Sequence, residues 1–548
     1  MTAPLALTAA SLFLLARFAA GEPGQSTVES VLSNLPVTDS PAYAAIYNAA
    51  GHPHRDILDM TKAEVWAIPG DKWGAVTAAA ANAGVKLTKL DEGWNQVMTP
   101  MAKTGAMTSA QTSIMHEEMD SKAAVTISMM ALRSPSVEEY ALTKGMHDTD
   151  PTAPRPKLLL PLAEGKTVTA VRIGVAPVAG GYAWHGAVEE TGEPVTLLWW
   201  PSGKMSGSVT SKGHVYAVHD LGNGLHTVIE MNPAMMPPEH APMGFDMMKK
   251  MHLKEDPLVV HGDASTLMGD PQKLQPAQGK PDRLDRSRTR NQEDAAPAKT
   301  TVIGPGPMDI THTPLPADET REQATIRLII AYTKAAAAHY NDIETDLIPL
   351  AIEDANESFR NSGITNVKLE LAYAYETNYV ESGTHFDHVF RFADKGDGYM
   401  DEVHELRDKY QADVGILIVN DPNGCGLSAE VHARPDRAFA VVHHDCAANM
   451  YSMAHEIGHL IGARHDEALD DEKRPFAFGH GFVYGKSWRT MMSYKDSCDG
   501  CPRVPVWSSP MVKVRGVPAG NAASDDNARV IAENAARVAR FRFASGPR

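Results

Sequence analysis

At 548 residues the chain is too long for one hydrophobic core, so about two to four domains are expected. Hydrophobic residues make up 43% and charged residues 22%, the balance of a globular chain rather than a disordered one. The formal net charge of −17 argues against a nucleic-acid partner, because phosphate binding needs basic surface.

The chain opens with MTAPLALTAASLFLLARFAAGEPGQ. An apolar stretch over residues 5–18 leads into Ala19-Ala20-Gly21, small residues suited to signal peptidase. Residues 1–21 are therefore read as a signal peptide of a secreted protein, with a short buried helix as the alternative. No other stretch approaches the roughly 20 apolar residues that span a bilayer. Within residues 22–150, AEVWAIPGDKWGAVTAAAANAGVKLTKLDEGWNQVM predicts a strand, an alanine-rich helix and a returning strand. Residues 151–235 alternate apolar and polar positions between Gly-containing turns, as in a small antiparallel β domain. Residues 236–320 are rich in proline and charge, and read as a flexible linker where proteases cut. Asp285, Asp309 and Asp318 are candidate processing positions there. The Met/His-rich stretch 231–252 offers thioethers to copper, but flexible methionines in a hinge are the expected reading.

The last domain spans residues 321–548. TIRLIIAYT reads as a buried strand. In the next segment Ile343, Leu347, Leu350, Ala351, Ala355 and Phe359 form one apolar helical stripe. VKLELAYAYET alternates as a strand, MDEVHELRDKY is helical, ADVGILIV is a central strand, and AFAVVH is another. Strands alternating with helices predict an α/β domain, a twisted sheet covered by helices. All four cysteines lie here: Cys425, Cys446, Cys498 and Cys501. An even number in a secreted chain suggests two disulfides with three possible pairings, and proximity favours Cys425–Cys446 and Cys498–Cys501. Cys-x-x-Cys also occurs in zinc ribbons and redox pairs, but a second such pair and a thioredoxin-like context are both missing.

Residues 455–466 read HEIGHLIGARHD. Side chains four apart on a helix lie above one another, so His455 and His459 can hold one ion. Glu456 projects beside that ion, placed to take a proton from water and deliver it to a leaving amine. Glycine tolerates a left-handed backbone, so Gly462 lets the helix stop and the chain return His465 as a third ligand. Three protein ligands leave one position open, the mark of a catalytic rather than a structural zinc. The competing reading is a surface helix with chance histidines; Gly462 and His465 at these offsets weigh against it. His443 and His444 end a strand and are expected to be ordinary polar residues. Asp466, Glu467, Asp470, Asp471 and Glu472 offer ligands to calcium, but a solvated acidic loop is expected. Downstream, WRTMMSY supplies Met492 as an apolar floor that does not ligate zinc. Tyr494 either brings its hydroxyl to the reacting carbonyl or packs in the turn.

The motif with Met492 resembles the metzincin zinc endopeptidases. Asp466 after the third histidine is the adamalysin/reprolysin-like choice, whereas Met492-Ser493-Tyr494 is nearer the serralysin and astacin style. HEIGHLIGARHD, FAFGHGF, WRTMMSY, CPRVPVWSSP, ANESFRNSGI and GVPAGNAASDDNARVIAENAARVARFR together look like the bacterial peptidyl-Asp metalloendopeptidases, the Asp-N type. The resemblance covers roughly residues 324–543; Ser493 stands where that family's turn is expected to carry alanine. It implies an α/β (α+β) fold with a twisted, mostly parallel sheet, an antiparallel edge strand and an active-site helix. A smaller subdomain would follow Gly462. The edge strand, around residues 426–431, would pair with an extended substrate. A preference for Asp at P1′, the leaving side of the cut bond, needs a cation in the S1′ pocket. Arg503 and Lys495 are the first candidates and Arg489 the third, against a reading of each as a solvated charge. The residues before 321 would be a mixed α/β and β-rich prosegment inhibiting a monomeric precursor. A cysteine cap on zinc is unavailable, since no cysteine precedes Cys425; Asp263, in a Gly-Asp context like that of astacins, is a carboxylate candidate. The expected function is a secreted zinc endopeptidase acting on protein or peptide substrates. The alternatives are a broad-specificity metzincin and a protease with a permanently retained N-terminal binding module.

Overall fold

The computed structural model describes residues 27–90, 93–101, 107–146, 154–239, 310–312 and 322–542. The leader, Asp263, Asp285, Asp309, Asp318 and most of the 231–252 stretch lie outside the described residues. The chain forms two compact units, one ending at Trp94 and one beginning at Asn95.

The first unit is a four-stranded antiparallel sheet in the order β2-β3-β1-β4, from β1 Thr27–Ser33, β2 Arg55–Ile57, β3 Glu64–Pro69 and β4 Lys86–Lys89. The alanine-rich helix Trp73–Asn82 lies between β3 and β4 in sequence, as its composition predicts. Trp66, Ile68, Leu32, Ile46 and Val76 form the core.

The second unit begins with nine antiparallel strands: β5 Met98–Pro100, β6 Ala124–Leu132, β7 Lys157–Pro161, β8 Thr167–Val178, β9 Gly181–Val188, β10 Pro194–Trp200, β11 Lys204–Ser211, β12 His214–Gly222 and β13 Leu225–Met231. Their order is β5-β6-β13-β12-β11-β10-β9-β8-β7. The sheet takes strands from both sides of residue 150, so the structure divides at Trp94/Asn95 rather than there. Two of its turns, Lys212-Gly213 and Asn223-Gly224, have positive φ at both positions, the geometry that matches strand twist in a two-residue hairpin.

The C-terminal part carries a five-stranded sheet in the order β16-β15-β17-β19-β18, from β15 Ala324–Thr333, β16 Val367–Thr377, β17 Val414–Val419, β18 Gly426–Ser428 and β19 Phe439–His443. The pairs β15/β16, β15/β17 and β17/β19 are parallel, and β18 is an antiparallel edge strand. β17 has neighbours on both sides and all its residues are buried, which is why its sequence is apolar without alternation. The six stripe residues are buried as expected. They are divided between a short helix Ile343–Asp346 and the helix Ile348–Asn361, with Leu347 at the junction. Asn356 ties that helix to β16: its amide donates to Leu369 O (3.1 Å) and its carbonyl accepts from Leu369 N (2.8 Å). One piece of the expected linker is structured. Ile310–His312 (β14) pairs with the strand Ser509–Val514, which also pairs with Val517–Ala519.

Candidate active site

The motif sits on helix Ser452–Ile461, every residue of which is buried. Helix Asn527–Val538 packs beside it, and Arg537 donates to the carbonyls of Leu460 (3.2 Å) and Ile461 (3.3 Å), satisfying acceptors that a helix end leaves open. Gly462 follows with φ +132°, and a Cβ there would meet a Phe476 ring carbon at 2.9 Å. The chain turns back, held where Asn527 donates to Arg464 O (3.2 Å) and His480 bonds His465 O (2.8 Å).

The return brings His465 Nε2 to 3.0 Å from His455 Nε2 and 2.9 Å from His459 Nε2. Nδ1 of His455 lies 2.9 Å from Met491 O and Nδ1 of His459 2.9 Å from Ala463 O. These carbonyls accept, so Nδ1 carries the proton in both rings and Nε2 presents a lone pair. Lone pairs converging this closely fit a cation between them. Burial lowers all three pKa values, His459 to about 3 and His455 and His465 well below the usual range, so the lone pairs are available at neutral pH.

Met492 is fully buried beneath this group, and a Cβ on Gly458 would come within 3.0 Å of its sulfur. Tyr494 is buried with its ring centroid 4.2 Å from that of His465. Burial, with nearby acidic charge, raises its pKa well above the usual value, so it remains a phenol. Asp466 is not in a solvated loop: it is buried, accepting from Tyr494 N (3.0 Å) and Ser497 Oγ (2.7 Å). Asp470 is likewise buried, on Arg464 (2.8 Å). Glu467 pairs with Lys473 and Glu472 with Arg474. Protein partners thus take up carboxylates that a calcium site would need.

Glu456 is buried next to β18, and a Cβ on Gly426 would lie 2.7 Å from its carboxylate. Only glycine lets the edge strand pass so close. Burial pushes Glu456 up to about 8, against partial relief from Arg503 and hydrogen bonds with Ser428. The edge strand is shorter than the expected 426–431.

The two arginine candidates converge. Backbone bonds Arg489 N to Pro502 O (3.0 Å) and Val504 N to Arg489 O (2.8 Å) place Arg489 beside Arg503. Disulfide Cys498–Cys501 ties the intervening loop, and Cys425–Cys446 joins the start of β18 to the segment after β19. Both guanidinium groups bind Glu239, at 3.0 Å from Arg489 and 2.7 Å from Arg503, and are only 3% and 5% exposed. They are therefore not solvated charges. Lys495 contributes its backbone N–H, 3.0 Å from the other Glu239 oxygen, and its charge also favours the ionised Glu239 carboxylate.

His443 and His444 are buried polar residues bonded to protein groups. With Asp445 they form a buried cluster in which donor atoms from all three lie within 4.8 Å. His444 spends both ring nitrogens on protein, Nδ1 on Tyr340 (3.2 Å) and Nε2 on Asn420 (3.0 Å), and Asp445 accepts from Ser121 (2.8 Å). The cluster is a hydrogen-bond network joining Ser121, at the end of helix Ser109–Asp120, to the C-terminal part.

Residues 322–508 match the family described as Metallo-peptidase family M12. The peptidyl-Asp metalloendopeptidase of Xanthomonas campestris pv. campestris is 32% identical over 409 residues, covering 72% of this chain and 84% of that protein. Its namesake in Stenotrophomonas maltophilia R551-3 is 32% identical over 397 residues, covering 69% and 81%. The chain belongs to the peptidyl-Asp metalloendopeptidase family. A member from Pseudomonas fragi is 34% identical over 191 residues, its whole length and 34% of this chain. Membership makes the chain a metalloendopeptidase, a hydrolase of peptide bonds that uses a catalytic metal. Among the described residues no helix is long and apolar enough to cross a membrane.

Some site residues were missed in the sequence. Glu239 lies among prolines and methionines, and composition classed it with the linker. His480 lies within FAFGHGF, but nothing in that stretch marks its bond to His465 O, and nothing local marks Ser428 as a neighbour of Glu456. The signal for Asp466 was present, since a carboxylate directly after the third ligand is unlike a free loop acid.

Proposed function

We propose that the chain is an exported zinc endopeptidase that cuts before acidic residues, Asp above all, and is made as an inactive precursor. The observation that carries this reading is the convergence of three Nε2 atoms beside buried Glu456, next to two buried guanidinium groups. Zinc held by His455, His459 and His465 would supply the Lewis acid that activates water and polarises the scissile carbonyl. An extended substrate adds to the free edge of β18, which sets the carbonyl over the motif helix. Glu456 accepts the proton of the attacking water at a carboxylate oxygen and passes it to the departing amine nitrogen. The Tyr494 phenol donates to the oxygen that gains charge as the carbonyl carbon becomes tetrahedral. Arg489 and Arg503 receive the acidic side chain on the leaving side through charge-assisted bonds. The leader-like residues 1–21 and the two disulfides support export.

A proteome-derived peptide library digested by the mature protein, with and without a zinc chelator, tests this. Chelator-sensitive cuts enriched for Asp on the leaving side are expected, with activity restored by added zinc. Cuts without that enrichment refute the acidic preference, and cuts that survive chelation refute the metal dependence.

A further inference from the structure

The segment that leaves β13 runs into the active site. Met236 is buried with Cys425 and Cys446. Pro238 O accepts from Cys425 N (2.9 Å), one residue before the edge strand. Glu239 then sends its carboxylate between the two arginines. One oxygen accepts from Arg489 (3.0 Å) and Arg503 (2.7 Å), and the other from Lys495 N–H (3.0 Å). Burial opposes its ionisation, but the two guanidinium groups together with the N–H and charge of Lys495 outweigh burial and hold its pKa below the ordinary value. Its charge also acts on Glu456 and Tyr494, so it belongs to the same site. Two buried guanidinium groups side by side repel each other and need an anion between them. In this chain the anion comes from residue 239. Pro237 and Pro238 lack the N–H groups that a substrate would offer to β18, so the segment fills the pocket without full strand pairing.

We propose that Glu239 is a tethered substrate mimic, whose carboxylate occupies the pocket for the substrate's acidic side chain and keeps the precursor latent until this segment leaves. The inference rests on the acidic-preference reading above. It also implies that the pocket accepts Glu as well as Asp.

The test uses the full chain with Glu456→Gln, to stop self-cleavage, with and without Glu239→Gln. Binding of a fluorescent peptide with one Asp, and of its Asn twin, is measured by anisotropy with zinc present. Thermal melting and zinc content check the folding of each variant. Adding Glu239→Gln should tighten Asp-peptide binding about 10- to 100-fold, as expected from losing a buried competing carboxylate, and change Asn-peptide binding much less. Glu239→Asp, which keeps the charge, should remain closed. Equal Asp-peptide affinity with and without Glu239→Gln, with Asp still preferred over Asn, overturns the mimic and leaves the specificity reading intact. Equal binding of Asp and Asn peptides to the opened chain overturns both. A second measurement is independent of how the variants fold. A synthetic peptide of residues 230–242 should inhibit the mature enzyme competitively, and its Glu239→Gln version should not; equal inhibition by the two, or none by either, overturns the proposal.

Discussion

Arg503→Ala is the most direct probe of where acidic preference resides. The Arg503 side chain is 5% exposed, so solvent barely screens its charge. One guanidinium nitrogen lies 2.7 Å from the carboxylate now in the pocket and another 2.6 Å from Met450 O. A hydrogen bond to a charged group contributes about 1.5–3 kcal/mol, which corresponds to a factor of about 10–150. Arg489 stays within 3.0 Å of the same oxygen, so some preference survives. The assay compares kcat/KM of mature enzyme on matched peptides with Asp or Asn on the leaving side. The Asp value should fall by about 10- to 150-fold and the Asn value by less than about threefold, because the lost bond needs a carboxylate. Lys495→Ala should lower the Asp/Asn ratio less than Arg503→Ala does, since it keeps the backbone N–H contact and removes only a charge that makes no hydrogen bond to the carboxylate. An unchanged Asp/Asn ratio in Arg503→Ala, with zinc content and Tm intact, refutes the reasoning, as does a collapsed ratio in Lys495→Ala.

Gly462→Ala combines a left-handed backbone at φ +132° with an approach to Phe476 at 2.9 Å, so it should cost about 1–3 kcal/mol and loosen zinc through His465; a Tm and zinc affinity equal to wild type would show that the turn does not depend on glycine. Glu138, buried under the nine-stranded sheet, is pushed up to about 7 by burial despite the Trp199 indole N–H at 2.7 Å. Its folded pKa is raised, so its contribution is fully present below about 4.5 and lost as pH rises through 7, about 3 kcal/mol in all. Glu138→Gln should therefore be more stable than wild type at pH 8 and lose that advantage at pH 4; parallel pH–stability curves from denaturant unfolding would contradict this. Asp466→Asn keeps the shape but weakens the acceptor for Tyr494 N and Ser497 Oγ, and should lower kcat more than it lowers zinc affinity; a loss confined to zinc affinity would place Asp466 outside the tyrosine's support.

What was legible in the sequence depends on how far apart the cooperating residues lie. His455, Glu456, His459, Gly462 and His465 are linked by one helix and one turn, so their spacing along the chain fixes their geometry. The unbroken apolar run of β17 likewise marks a central strand, because burial on both faces is a local property of its residues. The arginine pair and its anion are different. Arg503 and Glu239 are 264 residues apart, and no pattern in either neighbourhood names the other. Arg489 ranked third because it precedes the methionine turn, yet a backbone bridge to Arg503 brings it level. Lys495 ranked high for its charge, and the fold adds a hydrogen bond from its N–H that charge alone does not announce. Two docked pieces of the expected linker escape notice for the same reason: three residues at Ile310–His312 and one carboxylate at Glu239 suffice to dock, and neither alters the composition of the tract around it. A buried pair of like charges is nevertheless a demand that sequence can raise. Arg489 and Arg503 flank the methionine turn without a nearby acid that pairs with them, so their anion had to come from elsewhere in the chain or from the substrate. The structure places one at Glu239, and on the proposed reading the acidic side chain of a substrate takes its place.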